Sequence, residues 1–322
     1  MTVYWVLADI NGAYVSFCTL FNPQLKGKPI GVLSSNQGNV IARNQEIKNL
    51  GVKMSEPAFR VKPIIDKNDG QLFGSNFTLF GDMSQRFHEE LEMLIINSSR
   101  YSVDEAFGNL DTNLMPDLKE YGTYIQSTIR KNLGLEVGIG IGRTKTLAKI
   151  ASWASKLKKW KSTTNGVVVL DTLEKETWAL QRIPVIDIWG CGSKTTSKLD
   201  RQAISTGKDL RDSDLKAMQT MYGVTLERTI LELRGVNAIE LKNYNDPREQ
   251  ICVSRTMGSI VTDMNTLRSS LSSHAKEAAI KLRRQNFWCR TVTVFIATNP
   301  FKPNDPQYQK TLSIEQIFYW KV

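Results

Sequence analysis

The chain has 322 residues, 41% of them hydrophobic and 23% charged, a globular composition long enough for two or three domains. It contains no apolar run of about eighteen residues and no basic segment leading into an apolar core at its start, which excludes a membrane-spanning helix and a secretory signal and fits a cytoplasmic protein. A net charge of +10 favours a polyanionic partner, because basic side chains release the counterions condensed on phosphates.

Cys18, Cys191, Cys252 and Cys289 lie far apart with no CxxC pair, which argues against a structural zinc site or a disulfide framework. The two histidines, His88 and His274, stand among charged residues in helix-like segments. Triad hydrolysis and histidine-zinc catalysis are therefore poor candidates, and chemistry must rest on Asp, Glu, Lys, Arg and Tyr.

In chain order, residues 3–10 (VYWVLADI) read as a buried strand ending in an acid. Pro29–Leu33 and Asn39–Ala42 read as two more strands, and Gln45–Leu50 as a short helix closed by Gly51. Pro57 and Pro63 bracket an irregular stretch that Gly70 and Gly74 continue. Asp82–Asn97 is an amphipathic helix, N-capped by Asp82, with Phe87, Leu91, Leu94 and Ile95 on one face. Tyr101–Val103 starts a strand that Ala106–Leu110 continues or returns. A helix over Asp117–Leu133 ends at Gly134, a strand follows at Glu136–Ile141, and Thr144 caps a long basic helix reaching Lys159. Val167–Leu170 is a short strand after Asn165-Gly166.

This alternation predicts an α+β sheet covered by helices on one face and ending near residue 170. Leu173–Gly235 is helical in short pieces, and residues 236–250, with Pro247, form a linker. A strand (Ile251–Val261), a helix (Asn265–Gln285) and a strand (Cys289–Thr298) complete the reading.

Three acids stand where chemistry would need them. Asp9 ends an apolar strand, and Asp104 and Glu105 interrupt another. Charged groups rarely lie beside a core unless paired or metal-bound. Adjacent strand residues face opposite ways, so Asp104 and Glu105 can serve one site only if the backbone turns, as in a tight hairpin between Val103 and Ala106. Hard oxygen ligands suit Mg²⁺, and two such ions roughly 4 Å apart can activate a 3′-hydroxyl and stabilise a leaving pyrophosphate. Taken alone, an Asp-Glu pair at a strand end reads as a solvated hairpin.

At these residues the sequence resembles a known family. Tyr101-Ser102-Val103-Asp104-Glu105-Ala106-Phe107 is similar to the YSIDEAF motif of UmuC-type Y-family translesion DNA polymerases. Asp9–Tyr14 resembles their first metal motif, Val40–Met54 a finger motif, Gly138–Lys149 the strand and helix after the second metal motif, and Trp189-Gly190-Cys191-Gly192 a helix-hairpin-helix thumb. The matches keep family order from about residue 5 to about residue 308.

The resemblance implies an α+β, multidomain, right-hand polymerase: palm over 1–10 and 76–165, small fingers over 11–75, helical thumb over 166–240, and a partial little finger over 246–322. It implies two Mg²⁺ ions held by Asp9, Asp104, Glu105 and the carbonyl of Ile10, with Asp104 and Glu105 catalytic. Tyr14 matches the steric gate against a ribose 2′-hydroxyl, and Lys48 and Lys156 match triphosphate contacts. On residue pattern alone, each of these lysines reads as part of a solvated helix face. Gly12-Ala13 departs from the family, where an aromatic usually precedes Tyr14, and Gln45 stands where some branches carry tyrosine.

The basic run Lys156, Lys158, Lys159 and Lys161 around Trp160 reads as a phosphate contact, and Gly190 and Gly192 can offer backbone N–H groups to a DNA phosphate. Residues 246–322 hold a net +5, and Arg255 and Arg290 are candidates for phosphate contact. The implied partners are primed template DNA, dNTP, a UmuD-type protein and RecA. The ending Gln316–Val322 does not resemble the family, which predicts a truncated product with an unstable little finger and counts against a sliding-clamp contact. The expected function is error-prone synthesis across damaged DNA in an SOS-type response. The competing readings are a catalytically silent DNA-binding or regulatory remnant and, more distantly, a nucleotide cyclase.

Overall fold

The computed structural model describes residues 3–36, 38–157, 164–241, 249–257, 260–298 and 306–315. The chain divides into two compact units, Met1–Asn245 and Asp246–Val322. The basic run at Lys158–Lys161, the linker residues Pro247 and Arg248, and the ending Gln316–Val322 lie outside the described residues.

The first unit is built on a five-stranded sheet. Its strands are β1 (Val3–Ile10), β5 (Ile96–Arg100), β6 (Glu105–Asp111), β7 (Val137–Gly142) and β8 (Val167–Leu170), in the order β5-β6-β1-β7-β8. β1 runs antiparallel to both β6 and β7, and β7 runs parallel to β8. Alternation along β1 sorts its side chains between two faces. Tyr4, Val6, Ala8 and Ile10 join the main core with Phe80, Phe87 and Leu91 of α4 (Phe77–Leu94) and Ile125 and Ile129 of α5 (Leu118–Leu133). Leu7 lies on the opposite face, in a small cluster with Phe107 and with Ala148 of α6 (Lys145–Ser155), against which Trp5 packs.

Helices therefore cover both faces of the sheet, where the sequence predicted one. The cause is the glycine alternation of β7, VGIGIG. A Cβ on Gly140 would fall 2.2 Å from both the Ala148 carbonyl oxygen and the Ser152 nitrogen, and one on Gly142 would fall 2.8 Å from Leu147 Cβ. The bare glycine face lets the α6 backbone lie directly on the strand. The far side of α6 (Ile150, Ala151, Ala154) enters a second core with Leu180, Leu199, Ile230 and Leu233. This core belongs to short helices: α7 (Leu173–Leu180), α8 (Ser193–Asp200), α9 (Gly207–Asp212), α10 (Leu215–Tyr222) and α11 (Val224–Leu233).

A separate three-stranded sheet joins β2 (Ile30–Leu33), β3 (Val40–Arg43) and β4 (Gln71–Gly74) in the order β3-β2-β4. Here the reading of residues 57–74 is corrected: Ala58–Lys67 is helix α3, with Pro63 inside it, and β4 follows. The buried stripe Ala58, Val61, Ile65 outweighs the hydrogen bond Pro63 cannot donate to the carbonyl of Phe59, which stands at an exposed position. The short helix α2 (Gln45–Asn49) is capped by Asn44, whose side chain accepts from Ile47 N.

The other boundaries shift for local reasons. α4 starts at Phe77, because Asn76 rather than Asp82 caps it, accepting from Leu79 N at 3.1 Å. Asp82 lies inside the helix and pairs with Arg86 one turn on. Thr144 caps α6 as expected, but the helix ends at Ser155.

In the second unit Asp263 caps α12 (Met264–Arg284), and β9 (Thr291–Ala297) pairs antiparallel with β10 (Gln309–Glu315). The strand expected over Ile251–Val261 does not form: none of its described residues belongs to a ladder. Apolar alternation makes a strand only where a neighbour takes up its backbone hydrogen bonds.

Candidate active site

Two of the three acids meet through strand register. Asp9 and Glu105 are direct partners across β1 and β6, which puts both side chains on the face that carries α6. Asp104 precedes β6 by one residue, and its carbonyl accepts from Ile10 N at 2.9 Å. The chain reversal lies at Tyr101–Asp104, slightly earlier than the predicted hairpin between Val103 and Ala106, so Glu105 already stands in the strand.

Ser102 makes that reversal. Its hydroxyl donates to Asp104 Oδ1 at 2.7 Å and accepts from the backbone N–H groups of Asp104 and Glu105. From below, α4 fixes the same turn. Ser84 Oγ donates to the Val103 carbonyl at 2.6 Å, and His88 Nε2 lies 3.0 Å from the Ser102 carbonyl. Burial holds His88 down to about 4, so the ring is neutral and Nε2 carries the donated proton.

Each of two acids faces an ammonium from α6 or its C-terminal cap. Lys149 Nζ lies 2.7 Å from Glu105 Oε1, and Lys156 pairs with Asp9. Lys156 reaches Asp9 because Gly138, the residue opposite Asp9 on β7, has no side chain: a Cβ there would lie 3.1 Å from Lys156 Cε. Burial raises the Asp9 carboxyl to about 6; Lys156 opposes the shift, and Glu105 and Asp104 add to it. Among the described residues no three Asp, Glu, His or Cys side chains lie together closely enough to hold an ion, and Lys149 and Lys156 engage Glu105 and Asp9.

The donor set nevertheless fits divalent cations. Asp9 and Glu105 present hard oxygens on one sheet face with Asp104 beside them, and Asp9 stays raised by burial even with Lys156 paired to it.

The remaining predicted residues fall in three places. Tyr14 lies on α1 (Ala13–Thr19), its ring stacked on Phe80 at 4.5 Å and 16°. Gly12 holds the left-handed backbone (φ 58°) from which α1 starts, and Ala13, at the position where the family usually carries an aromatic, is buried. Lys48 is in the last turn of α2; burial depresses its pKa, and Arg43 and Lys156 depress it further, so three cations share one neighbourhood. Gly190 (φ 90°) and Gly192 flank a turn; Gly192 precedes α8, whose first turn has no side-chain cap, and a Cβ on Gly192 would meet open space. Arg255 and Arg290 belong to the second unit, Arg255 3.5 Å from Glu277 on α12 and Arg290 just ahead of β9.

Sequence reasoning missed the roles of Ser102, Ser84, His88 and Phe80 and the service Gly138 gives Lys156. It quoted Lys149 and Trp189 only as parts of motifs. An ammonium-bearing helix following an alternating-glycine strand was the available signal for Lys149, and nothing in the sequence pointed to Ser84 or His88.

Sheet, acid pair, small second sheet and helical unit together have the fold of a Y-family polymerase. A Y-family DNA polymerase chimera of Dbh and Dpo4 superposes with a TM-score of 0.74 at 21% identity, over 98% of this chain and 89% of that one. The chain belongs to the impB/mucB/samB family, the UmuC-like Y-family DNA polymerases: residues 8–153 match the family and residues 248–318 its C-terminal domain. Protein UmuC of Salmonella typhimurium is 39% identical over 311 residues, 96% of this chain and 73% of that protein. Protein MucB of Escherichia coli is 37% identical over 305 residues, 94% of this chain and 72% of that protein. Among the described residues no helix is long and apolar enough to cross a membrane.

Proposed function

We propose that this polymerase extends primed DNA across damaged template, error-prone and within an SOS-type response, at a site formed by Asp9, Asp104 and Glu105. The observation that carries the reading is the cross-strand pair Asp9–Glu105, with Asp104 tied to Ile10 beside it and an ammonium on each paired acid. Two Mg²⁺ ions, held by Asp9, Asp104, Glu105 and the Ile10 carbonyl, would activate the primer hydroxyl and neutralise the leaving pyrophosphate.

The protein's own residues do the rest. Lys156, Lys48 and Arg43 concentrate positive charge where a triphosphate binds, and Lys156 exchanges Asp9 for phosphate oxygens on the way. Tyr14, backed by Phe80, forms a rigid floor under the sugar and excludes a 2′-hydroxyl. Ser102, Ser84 and His88 keep the acid turn in register, so that the carboxylates need not reorganise as charge develops. The uncapped first turn of α8 behind Gly190 and Gly192 takes a DNA phosphate without reading sequence. Arg255 and Arg290 serve the DNA backbone from the second unit. Contacts with a UmuD-type protein and RecA belong to the same reading, on family resemblance.

The test is Mg²⁺-dependent extension of a primed template by the purified chain beside Asp104→Ala. Extension that the substitution abolishes is expected. No extension by the unsubstituted chain would favour the silent DNA-binding reading instead.

A further inference from the structure

Lys149 stands on α6, most of whose residues are buried, and its ammonium has two kinds of partner. Its Nζ sits 2.7 Å from Glu105 and, at the same time, 4.5 Å from the Tyr101 ring centroid, 5.5 Å from Trp189 and 5.7 Å from Phe107. The rings brace each other. Tyr101 meets Phe107 and Trp189 edge-on at 5.5 and 5.6 Å, and Trp189 stacks on Phe107 at 6.0 Å and 28°.

The walls of this box come from separate parts of the first unit. Tyr101 starts the acid turn, and its N–H donates to the Glu105 carbonyl at 3.0 Å. Phe107 lies two residues along β6 from Glu105, on the same face. Trp189 comes from the helical part, one residue before the Gly190–Gly192 turn, its neighbours Ile188 and Cys191 being anchored in that part's core. Of the three rings, Trp189 is the one supplied by the helical part, whereas Tyr101 and Phe107 belong to the β5–β6 turn and to β6.

We propose that Trp189 is a positioning residue for Glu105, acting through Lys149: it closes an aromatic box that fixes the ammonium, and the fixed ammonium orients the carboxylate for a divalent ion. An ammonium paired with a carboxylate alone must follow it or return to water. Three π faces give it a second set of partners. Glu105 can then turn toward an ion while Lys149 keeps its place, so the carboxylate meets the ion from one defined direction. The inference rests on the proposed metal role of Glu105.

The test reads metal binding, not synthesis. Bound Mn²⁺ is counted by electron paramagnetic resonance on the full chain, for wild type, Glu105→Gln, Trp189→Ala, Trp189→Phe, Lys149→Met and the double variant Trp189→Ala/Lys149→Met, each checked by thermal melting. Glu105→Gln should weaken Mn²⁺ binding. Trp189→Ala should weaken it about fivefold, in keeping with loss of one cation–π face. Trp189→Phe should recover most of that loss. In the Lys149→Met background Trp189→Ala should have no further effect, since partners in one linkage are not additive.

Undiminished binding in Trp189→Ala, or an equal loss with and without Lys149, overturns the inference while Glu105→Gln still weakens binding. If Glu105→Gln leaves Mn²⁺ binding unchanged, the metal reading of Glu105 falls first and takes the inference with it.

Discussion

Gly138 and Lys156 occupy one small volume: the space a Cβ on Gly138 would need, 3.1 Å from Lys156 Cε and 2.8 Å from Ser155 Oγ, is the space through which Lys156 reaches Asp9. A family-like GIGI strand and a lysine at the end of the next helix thus form one device. The glycine clears a path, and the lysine uses it to place its charge beside the acid.

Gly138→Ala should therefore act on substrate before it acts on stability. The displaced groups are a hydroxyl and a flexible stem, so unfolding stability should fall by only about 1 kcal/mol. The misplaced ammonium should raise the KM for dNTP about tenfold with a smaller change in kcat. Steady-state single-nucleotide insertion and urea denaturation check both. Gly138→Val should lose about 2–3 kcal/mol.

Asp9 gives a stability effect with a definite pH window. Its folded pKa, about 6, lies above the ordinary 3.8, so the folded protein binds the proton more tightly than the unfolded chain between those values. Stability from this group rises as pH falls from about 6 to about 4, and the charged carboxylate is a burden at higher pH. In chelator at pH 8, Asp9→Asn should be more stable than wild type by about 2 kcal/mol, and the gain should shrink toward zero at pH 4. Urea melts across that range, read as a difference between the two proteins, isolate Asp9 from the other titrating groups. A variant less stable at pH 8 would contradict the assignment.

Glu232 is fully buried, and its carboxylate accepts from three backbone donors: Thr146 N at 2.9 Å, Ala238 N at 3.0 Å and Ile239 N at 3.1 Å. It fastens α11 to the N-terminal turn of α6, where a negative charge also meets the helix dipole. Glu232→Gln keeps the shape but turns an NH₂ toward a donor. It should cost about 2–3 kcal/mol by urea denaturation, and Glu232→Ala about 3–5 kcal/mol. An unchanged denaturation midpoint would remove this role.

Tyr14→Ala should admit ribonucleotides. The ring lies flat on Phe80, so its removal opens a gap the neighbouring side chains cannot readily refill. Discrimination between dNTP and rNTP, measured as a ratio of kcat/KM values, should drop at least about tenfold. An unchanged ratio would take the sugar-floor role away from Tyr14.

Much of the sheet was legible because its strands obey simple patterns. Val3–Ile10 is an apolar run ending in an acid, Asn165-Gly166 turns with both residues at positive φ, Gly134 ends α5 and Thr144 caps α6 as read. The acids were visible as charges set into apolar strands. What the pattern could not carry was tertiary. Pro63 reads as a breaker unless the buried Ala58-Val61-Ile65 stripe is weighed against it. Asp82 is as good a cap in composition as Asn76, and only the packing of Phe80 and Met83 decides between them. Ser84 and His88 look like ordinary helix residues, because their targets, the carbonyls of Val103 and Ser102, lie more than ten residues away. Ile251–Val261 reads as a strand, but none of its described residues pairs in a ladder.

Anomalous diffraction from Mn²⁺ in crystals of the full chain, with dideoxy-terminated primed DNA and dNTP, tests the convergence of Asp9, Asp104 and Glu105 most directly. The account predicts peaks about 2.1 Å from carboxylate oxygens of all three residues, with Lys156 moved off Asp9. Manganese bound elsewhere, with the Asp9 carboxylate still held by Lys156 and beyond coordinating distance of the other two acids, would contradict it.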